Sequence, residues 1–442
     1  MRFIESRLSN DFAYTLTDKF ISLCRFLKES HFTRNRKMPL SCLLLSILYR
    51  KGTTLSIELR RFLSLTKQAE SISKPGYLKQ RMKLNPQAIR SLCDFHNSSL
   101  YQEEEMETMK GYFVLAADGS TINVPTVEET LAIYGSSSNK RSRLQATLGM
   151  SCLYDLLNNV LLDVTINRHK FNDREQAREH MKKFSEIAPG RKSILVLDRN
   201  YPSIYEFMKW NKIDQKYVVR LKKSDFRKER IGLESADETI NIALDSGRRH
   251  KISIHGADEY AAFAEQGSFD LRVVNIKLDG GTEVSLATNL SKEEFGTEEI
   301  GQIYQMRWGV ETVFDMLKNN LQIENFTGTK PILIEQDIYA CIYLCNLAQD
   351  MIADAEANNK LKDTPPYKHE MAVNKTYAVG VLKEDLIIVI LERDKRRKAE
   401  MFEAMVAEVQ RNIIPIRPDR HYERNKGNLS GRKYTNTHKR SY

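Results

Sequence analysis

Six side chains in this sequence have the types and spacing to do chemistry together: Asp118, Asp198, Tyr304, Arg307, Glu311 and Lys318. The last four lie on one stretch, Gly301-Gln302-Ile303-Tyr304-Gln305-Met306-Arg307-Trp308-Gly309-Val310-Glu311-Thr312-Val313-Phe314-Asp315-Met316-Leu317-Lys318. Wound as a helix at about 100° per residue, it gathers Ile303, Met306, Val310, Val313, Phe314, Leu317 and Leu321 into one apolar stripe. Tyr304, Arg307, Glu311 and Lys318 then fall within an arc of roughly 60° along the edge of that stripe. One acid, two cations and a phenol share a ridge beside a buried face. By itself this is also what a solvated helix flank with an Arg307–Glu311 pair looks like. The residues upstream give the ridge its weight.

Asp118 closes the run Tyr112-Phe113-Val114-Leu115-Ala116-Ala117 and is followed by Gly119-Ser120-Thr121. Asp198 closes Ser193-Ile194-Leu195-Val196-Leu197 and is followed by Arg199-Asn200-Tyr201-Pro202. Both runs predict strands buried on two faces, each ending in an acid at a rim. As parallel neighbours their ends would sit about 4.8 Å apart. A lone Asp after a strand commonly caps a helix or makes a turn. Two of them with a helix-borne Glu311 are different, because three carboxylates in a low-dielectric cleft repel one another unless a cation neutralises them. Hard oxygen donors favour Mg²⁺ or Mn²⁺, and two such ions can hold the attacking and leaving oxygens of a phosphodiester in line.

Other elements must carry these groups. Residues 1–101 read as all-helical, with apolar spacing through Phe12–Phe26, Leu40–Tyr49 and Leu55–Leu65 and breaks at Lys51-Gly52, Lys74-Pro75-Gly76 and Asn85-Pro86. Glu103-Glu104-Glu105 makes a short acidic linker. Strands follow near Thr147–Tyr154 and Val160–Ile166, then a helix over Asp173–Ile187, the Asp198 strand, a helix over Ser203–Trp210 and a strand over Tyr217–Leu221. That order predicts a mixed sheet with helices on its faces. The stretch from Leu221 to Glu311 is far longer than a strand-to-helix connection needs. Its alternating segments Lys251–Ile254, Tyr260–Phe263 and Phe269–Leu278, with a turn at Asp279-Gly280-Gly281, predict an inserted β-subdomain over about 224–285. Val284–Asn289 then rejoins the core, and an apolar helix from about Ile332 to Ile352 packs behind.

The 442 residues, 41% hydrophobic and 29% charged, are enough for two or three globular domains. No signal core opens the chain, and the apolar run Leu40–Tyr49 is too short to span a bilayer, so no membrane association is expected. Six scattered cysteines form no Cys-x-x-Cys spacing and point to a reducing cytoplasm. The net charge of +10 is uneven: residues 1–101 hold 18 Lys/Arg against 7 Asp/Glu, and residues 411–442 hold 9 against 2. Basic ends around an acidic middle fit a chain whose ends hold a polyanion and whose centre holds cations. Within the helical region cations cluster at Arg34, Arg36, Lys37, Arg50, Lys51, Arg60, Arg61, Lys79, Arg81 and Lys83.

Tyr304-x2-Arg307-x3-Glu311-x6-Lys318, with Asp118 and Asp198 upstream, resembles the DDE transposases of bacterial insertion sequences, in particular the insertion-sequence-four family with its Y-R-E-K signature. Asp118-Gly-Ser-Thr, Leu197-Asp198-Arg199-Asn200-Tyr201, Ala287-Thr288-Asn289-Leu290 and the tail Pro415-Ile-Arg417-Pro-Asp-Arg420 agree with it. The resemblance covers roughly residues 110–350. It implies an α/β fold with a ribonuclease H-like mixed-sheet catalytic core over 110–352, an inserted β-subdomain, a helical DNA-binding region at 1–101 and a helical region with a basic tail at 353–442. Asp118, Asp198 and Glu311 would be the catalytic, metal-binding triad. Tyr304, Arg307 and Lys318 would grip DNA phosphates, with Arg199 a further phosphate contact and Trp308 stacking on a base or packing. Some hairpin-forming relatives receive a flipped base on a Trp in the insertion. Here the tryptophans are Trp210 and Trp308, both outside it, which leaves Phe263 or Phe269 to serve.

The function expected is metal-dependent cleavage at the ends of an insertion sequence and 3′-OH strand transfer into target DNA. The partners would be double-stranded DNA (terminal inverted repeats and target), with a homodimer on DNA, at the bacterial nucleoid. The rival expectations are a divalent-metal nuclease without strand transfer and a non-catalytic DNA-binding descendant of a transposase.

Overall fold

The computed structural model describes residues 4–34, 37–66, 72–102, 106–137, 144–261, 263, 265–278, 281–357, 359 and 367–416. Arg36, the Glu103–Glu105 linker, Asp279-Gly280 and the tail from Arg417 lie outside them. Six helices come first: α1 (Ile4–Thr15), α2 (Asp18–Leu23), α3 (Leu40–Leu48), α4 (Leu55–Leu65), α5 (Lys74–Arg81) and α6 (Pro86–Tyr101). Their starts carry the expected signals. Asn85 accepts a hydrogen bond from the Gln87 amide and Pro86 takes the first helical position, where its missing N–H costs nothing.

The sheet region then runs β1 (Tyr112–Asn123), α7 (Glu128–Tyr134), β2 (Ser136–Ser137), β3 (Gln145–Asp155), β4 (Val160–Arg168), α8 (Asp173–Ile187), β5 (Lys192–Leu197), α9 (Ile204–Lys212) and β6 (Lys216–Arg220). The insertion supplies α10 (Arg227–Arg230), β7 (Asp237–Ala243), α11 (Ser246–Ser253), α12 (Ala257–Ala261) and β8 (Ser268–Lys277), before β9 (Glu283–Thr288). The chain continues through α13 (Thr297–Met306), α14 (Trp308–Asp315), a π-helical turn (Met316–Asn320), α15 (Pro331–Ala357), β10 (Met371–Val373), α16 (Lys375–Leu391), α17 (Lys395–Arg411) and β11 (Ile413–Pro415).

One mixed sheet of nine strands has the order β2-β3-β1-β5-β6-β9-β8-β7, with β4 on β3. β1, β5 and β6 are parallel and their other neighbours antiparallel. β7 and β8 extend this same sheet. Lys251–Ile254 and Tyr260–Phe263, read as strands from their alternation, fall instead on α11 and α12 or just past them. Four residues are too few for periodicity to decide, and the Asp245 side chain caps α11 by accepting from the Arg248 amide at 2.8 Å.

Alternation along β1 sorts the layers. Phe113, Leu115 and Ala117 join the core beneath α8 and α9, with Leu195, Leu197 and Phe207. Val114, Ile194 and Val196 face the opposite side, against Ile300, Ile303 and Tyr304 of α13. On that side Ala116 joins a larger core shared by α1–α6, α14 and α15–α17. α15, buried nearly all round, is its axis. Even-numbered positions of β1 therefore look toward the ridge of Arg307 and Glu311.

Candidate active site

Parallel pairing of β1 with β5 keeps one register from Tyr112↔Lys192 to Ala116↔Val196. Carried two residues further, that register sets Asp118 opposite Asp198. Both line a recess of about 390 Å³ whose wall also carries Asp173, Asn200 and Tyr201. Asp198 follows the end of its strand, as the sequence predicts. Asp118 does not: β1 runs on to Asn123, held by antiparallel pairing with β3 in which Asp118 faces Cys152. The rim arises because β5 stops, not because β1 does.

The ridge is not one straight helix. α13 ends at Met306, Arg307 stands between it and α14 with helical angles (φ −49°, ψ −31°), and the chain widens into the π-turn at Met316–Asn320. The Leu321 amide donates to the Met316 carbonyl five residues back at 2.9 Å. This geometry gives each predicted residue a definite place. Arg307, 8% exposed, donates through Nη2 to Glu311 Oε1 at 3.0 Å and lies with Nη1 3.7 Å from Asp118 Oδ2. Its guanidinium carbon is 5.0 Å from the Trp308 ring centre and 6.0 Å from that of Tyr304. Lys318 Nζ donates to Ser120 Oγ at 2.7 Å, two residues along β1 from Asp118. Tyr304 is 2% exposed and packs in the core, whereas Trp308 is 49% exposed. Arg199 is exposed and faces a neighbouring recess.

Asp118 and Asp198 are thus brought together, and Glu311 is reached from Asp118 through Arg307. Glu311 does not line the recess of the two aspartates. Of the two residues left to receive a flipped base, Phe263 is buried and Phe269 is half-buried; Trp210, outside the insertion, is buried as well.

The electrostatics are those of crowded acids. Burial pushes the Asp118 carboxyl up to about 6; the Gly119 amide and Arg307 oppose this, and the charges of Asp198 and Glu311 add to it. Asp173, at the start of α8, is raised for the same reasons, by burial and then by Asp198. The Tyr201 hydroxyl, in a residue 1% exposed, finds no hydrogen-bond partner. Burial lowers the Lys318 amine, with Glu324 opposing. Asp173 and Tyr201 are the wall residues sequence reasoning missed. Tyr201 was visible only as part of the Asp198 motif, and an Asp opening a helix looks like an ordinary dipole partner.

Carboxylate oxygens, a raised Asp118 and an unsatisfied Tyr201 hydroxyl fit a hard divalent cation in donor type. Among the described residues no three acids stand close enough to hold one between them. The Arg307 guanidinium lies between Asp118 and Glu311.

Residues 110–347 match the transposase DDE domain family. The chain belongs to that family. The transposase InsG for insertion sequence element IS4 of Escherichia coli K12 is 21% identical over 356 residues, 77% of this chain and 76% of the relative. A putative transposase for insertion sequence element IS4SA of Synechocystis is 24% identical over 196 residues, 43% of this chain and 51% of the relative. A solved structure of a piggyBac transposase synaptic complex with hairpin DNA aligns over 90% of this chain and 84% of that one, at 11% identity and a TM-score of 0.46. The family match over residues 110–347 makes the mixed sheet the ribonuclease H-like core of a DDE transposase, an enzyme of DNA cleavage and strand transfer that depends on a divalent metal. No helix among the described residues is long and apolar enough to cross a membrane.

Proposed function

We propose that this transposase performs cut-and-paste transposition with Asp118, Asp198 and Glu311 as its catalytic carboxylates. Hydrolysis at the element's end adds water to the phosphorus and releases a 3′-OH. That hydroxyl then attacks a target phosphodiester, forming one P–O bond as another breaks. The three carboxylates would hold two Mg²⁺ or Mn²⁺ ions, which would supply Lewis-acid stabilisation of the pentacovalent phosphate. Arg307 and Lys318 bind the phosphate oxygens from the ridge, with Trp308 beside them. Tyr304 keeps the Arg307 fork in place from below, and Arg199 extends the contact away from the acids. Residues 1–101, where Arg60, Arg61 and Lys79 are exposed, read the terminal repeats. Two ends must be joined, so the working form on DNA is a homodimer, acting in the bacterial cytoplasm at the nucleoid.

The observation that supports this reading is the Arg307 guanidinium reaching Asp118 and Glu311 at once, beside a recess that Asp118 shares with Asp198. Glu311→Gln keeps the shape and removes one charge. The variant is expected to bind end DNA within about threefold of wild type and to leave it uncut in Mg²⁺. Full cleavage by Glu311→Gln sinks the assignment. Wild type given pre-cut ends with a free 3′-OH is expected to join them to target; failure to join while still cutting makes the protein a nuclease.

A further inference from the structure

A second recess lies beside the acidic one on the carboxyl edge of the parallel strands. It encloses about 750 Å³ and is walled by Arg199, Arg220, Lys222, Lys223, Arg230 and Lys277, against the one described acid Glu283. The Arg230 guanidinium is fixed, donating to the carbonyls of Lys222 and Asp225 at 2.8 and 3.0 Å and to Ser285 Oγ. Its Nε is buried without a partner. Lys222, Lys223 and Lys277 are exposed at the mouth.

The register ties this recess to the acids. β5 pairs with β6 from Ile194↔Lys216 to Leu197↔Val219, so one further step sets Arg220 opposite Asp198, which itself stands opposite Asp118. An acid, an acid and a cation line up across three strands about 4.8 Å apart, on the edge where open parallel sheets bind ligands. Six cations facing one acid call for a polyanion. No aromatic side chain lines the described wall, so bases have nothing to stack on and the contact is to phosphates. The volume equals that of a cube roughly 9 Å on a side. A whole duplex, wider than its own roughly 12 Å major groove, does not enter a space that size, whereas one strand does.

We propose that this recess, built from β5, β6 and the insertion, holds the phosphodiester backbone of one unpaired DNA strand and leads it to Asp198 and Asp118. The inference rests on the transposase reading and adds a sequence-blind strand site to it. The test is salt-titrated binding in EDTA of the full chain carrying Glu311→Gln, to a mixed-sequence single strand and to the duplex made from it. Lys222→Gln/Lys223→Gln/Lys277→Gln is compared with the exposed pair Arg396→Gln/Arg397→Gln on α17. The triple change is expected to make the single-strand salt slope shallower by about 2, at about 0.7 per contact, while the α17 pair leaves it unchanged. An unchanged single-strand slope, or a loss confined to duplex, overturns the proposal. Binding needs no chemistry, so the two readings fail separately. Cleavage surviving Glu311→Gln sinks the catalytic assignment alone, and an unaltered slope sinks the strand site alone.

Discussion

Gly119 leaves its neighbours room. A Cβ there would sit 2.9 Å from Asp173 Oδ1 and 3.0 Å from Phe171 Cζ, so Gly119→Ala must push Asp173 out of the acidic recess or distort β1. Both atoms are the far ends of side chains that can turn away, so the expected cost in stability is at most about 1 kcal/mol, with cleavage falling as Asp173 leaves the recess; denaturant melts and single-turnover cleavage check both. Beneath this layer Glu206 is fully buried, with one oxygen on Arg178 and Oε2 without a partner. Burial raises its carboxyl to about 6, Arg178 opposing. The sign follows: the folded state holds this proton more tightly, so the contribution is full below about pH 4.5 and lost as pH rises through 6. Glu206→Gln should flatten that fall, about 2 kcal/mol in all, in melts run from pH 4 to 8. A wild-type profile in the variant refutes it. At this scale the sequence made Asp118, Asp198, Arg307 and Glu311 legible, because strand alternation and helical spacing put each on a definable face. Asp173 was hidden: only the folded chain reveals that Asn172 does the capping, accepting from the Arg174 amide at 3.2 Å, and leaves Asp173 to the recess.

Elements decide where the ridge points. On a straight α-helix Lys318 stands roughly 10 Å along the axis from Glu311, two turns beyond the acid. Here Lys318 lies in the π-turn, and its amine donates to Ser120 of β1, two residues along the strand from Asp118. Such a turn leaves no mark in a hydrophobic pattern, because Leu317 and Leu321 keep helical spacing through it. The buried register of β1 on β5 was legible for the opposite reason, since two apolar runs with matching acid ends can pair in only one useful way. Lys318→Met separates a positioned cation from a structural one. Burial already disfavours the charged amine, so thermal stability should hold or rise. Cleavage should fall on the order of 100-fold as a phosphate donor is lost. A melting point that drops while cleavage persists makes Lys318 a structural strut.

The whole molecule closes around α15. Two of the cations read from sequence as facing DNA are spent inside it: Arg81, fully buried, donates to Asp337 Oδ1 at 2.9 Å and to Gln336 Oε1 at 2.9 Å, and Arg50 donates to the Asp337 carbonyl at 2.8 Å. Arg7 pairs with Asp350 at 2.6 Å at the other end of the helix. A charge census gives their sign and number, and only packing tells which face a groove and which lock the first hundred residues to α15. Burial alone would raise Asp337, yet Arg81 and Arg50 hold it below the ordinary carboxylate range. Its contribution is therefore present above about pH 4 and lost as pH falls through the depressed value. Asp337→Ala takes the carboxylate from the buried Arg81 guanidinium, while Arg50 keeps its bond to the main-chain carbonyl, and should cost about 3–5 kcal/mol. Because one core runs from α1 to α17, that loss should appear in a single transition. Fluorescence of Trp210 and Trp308, both outside residues 1–101, should report the same midpoint shift as backbone circular dichroism. If the circular-dichroism midpoint drops while the tryptophan midpoint stays, the first hundred residues unfold alone, and their lock to α15 is too weak to fix the DNA-reading helices against the acids.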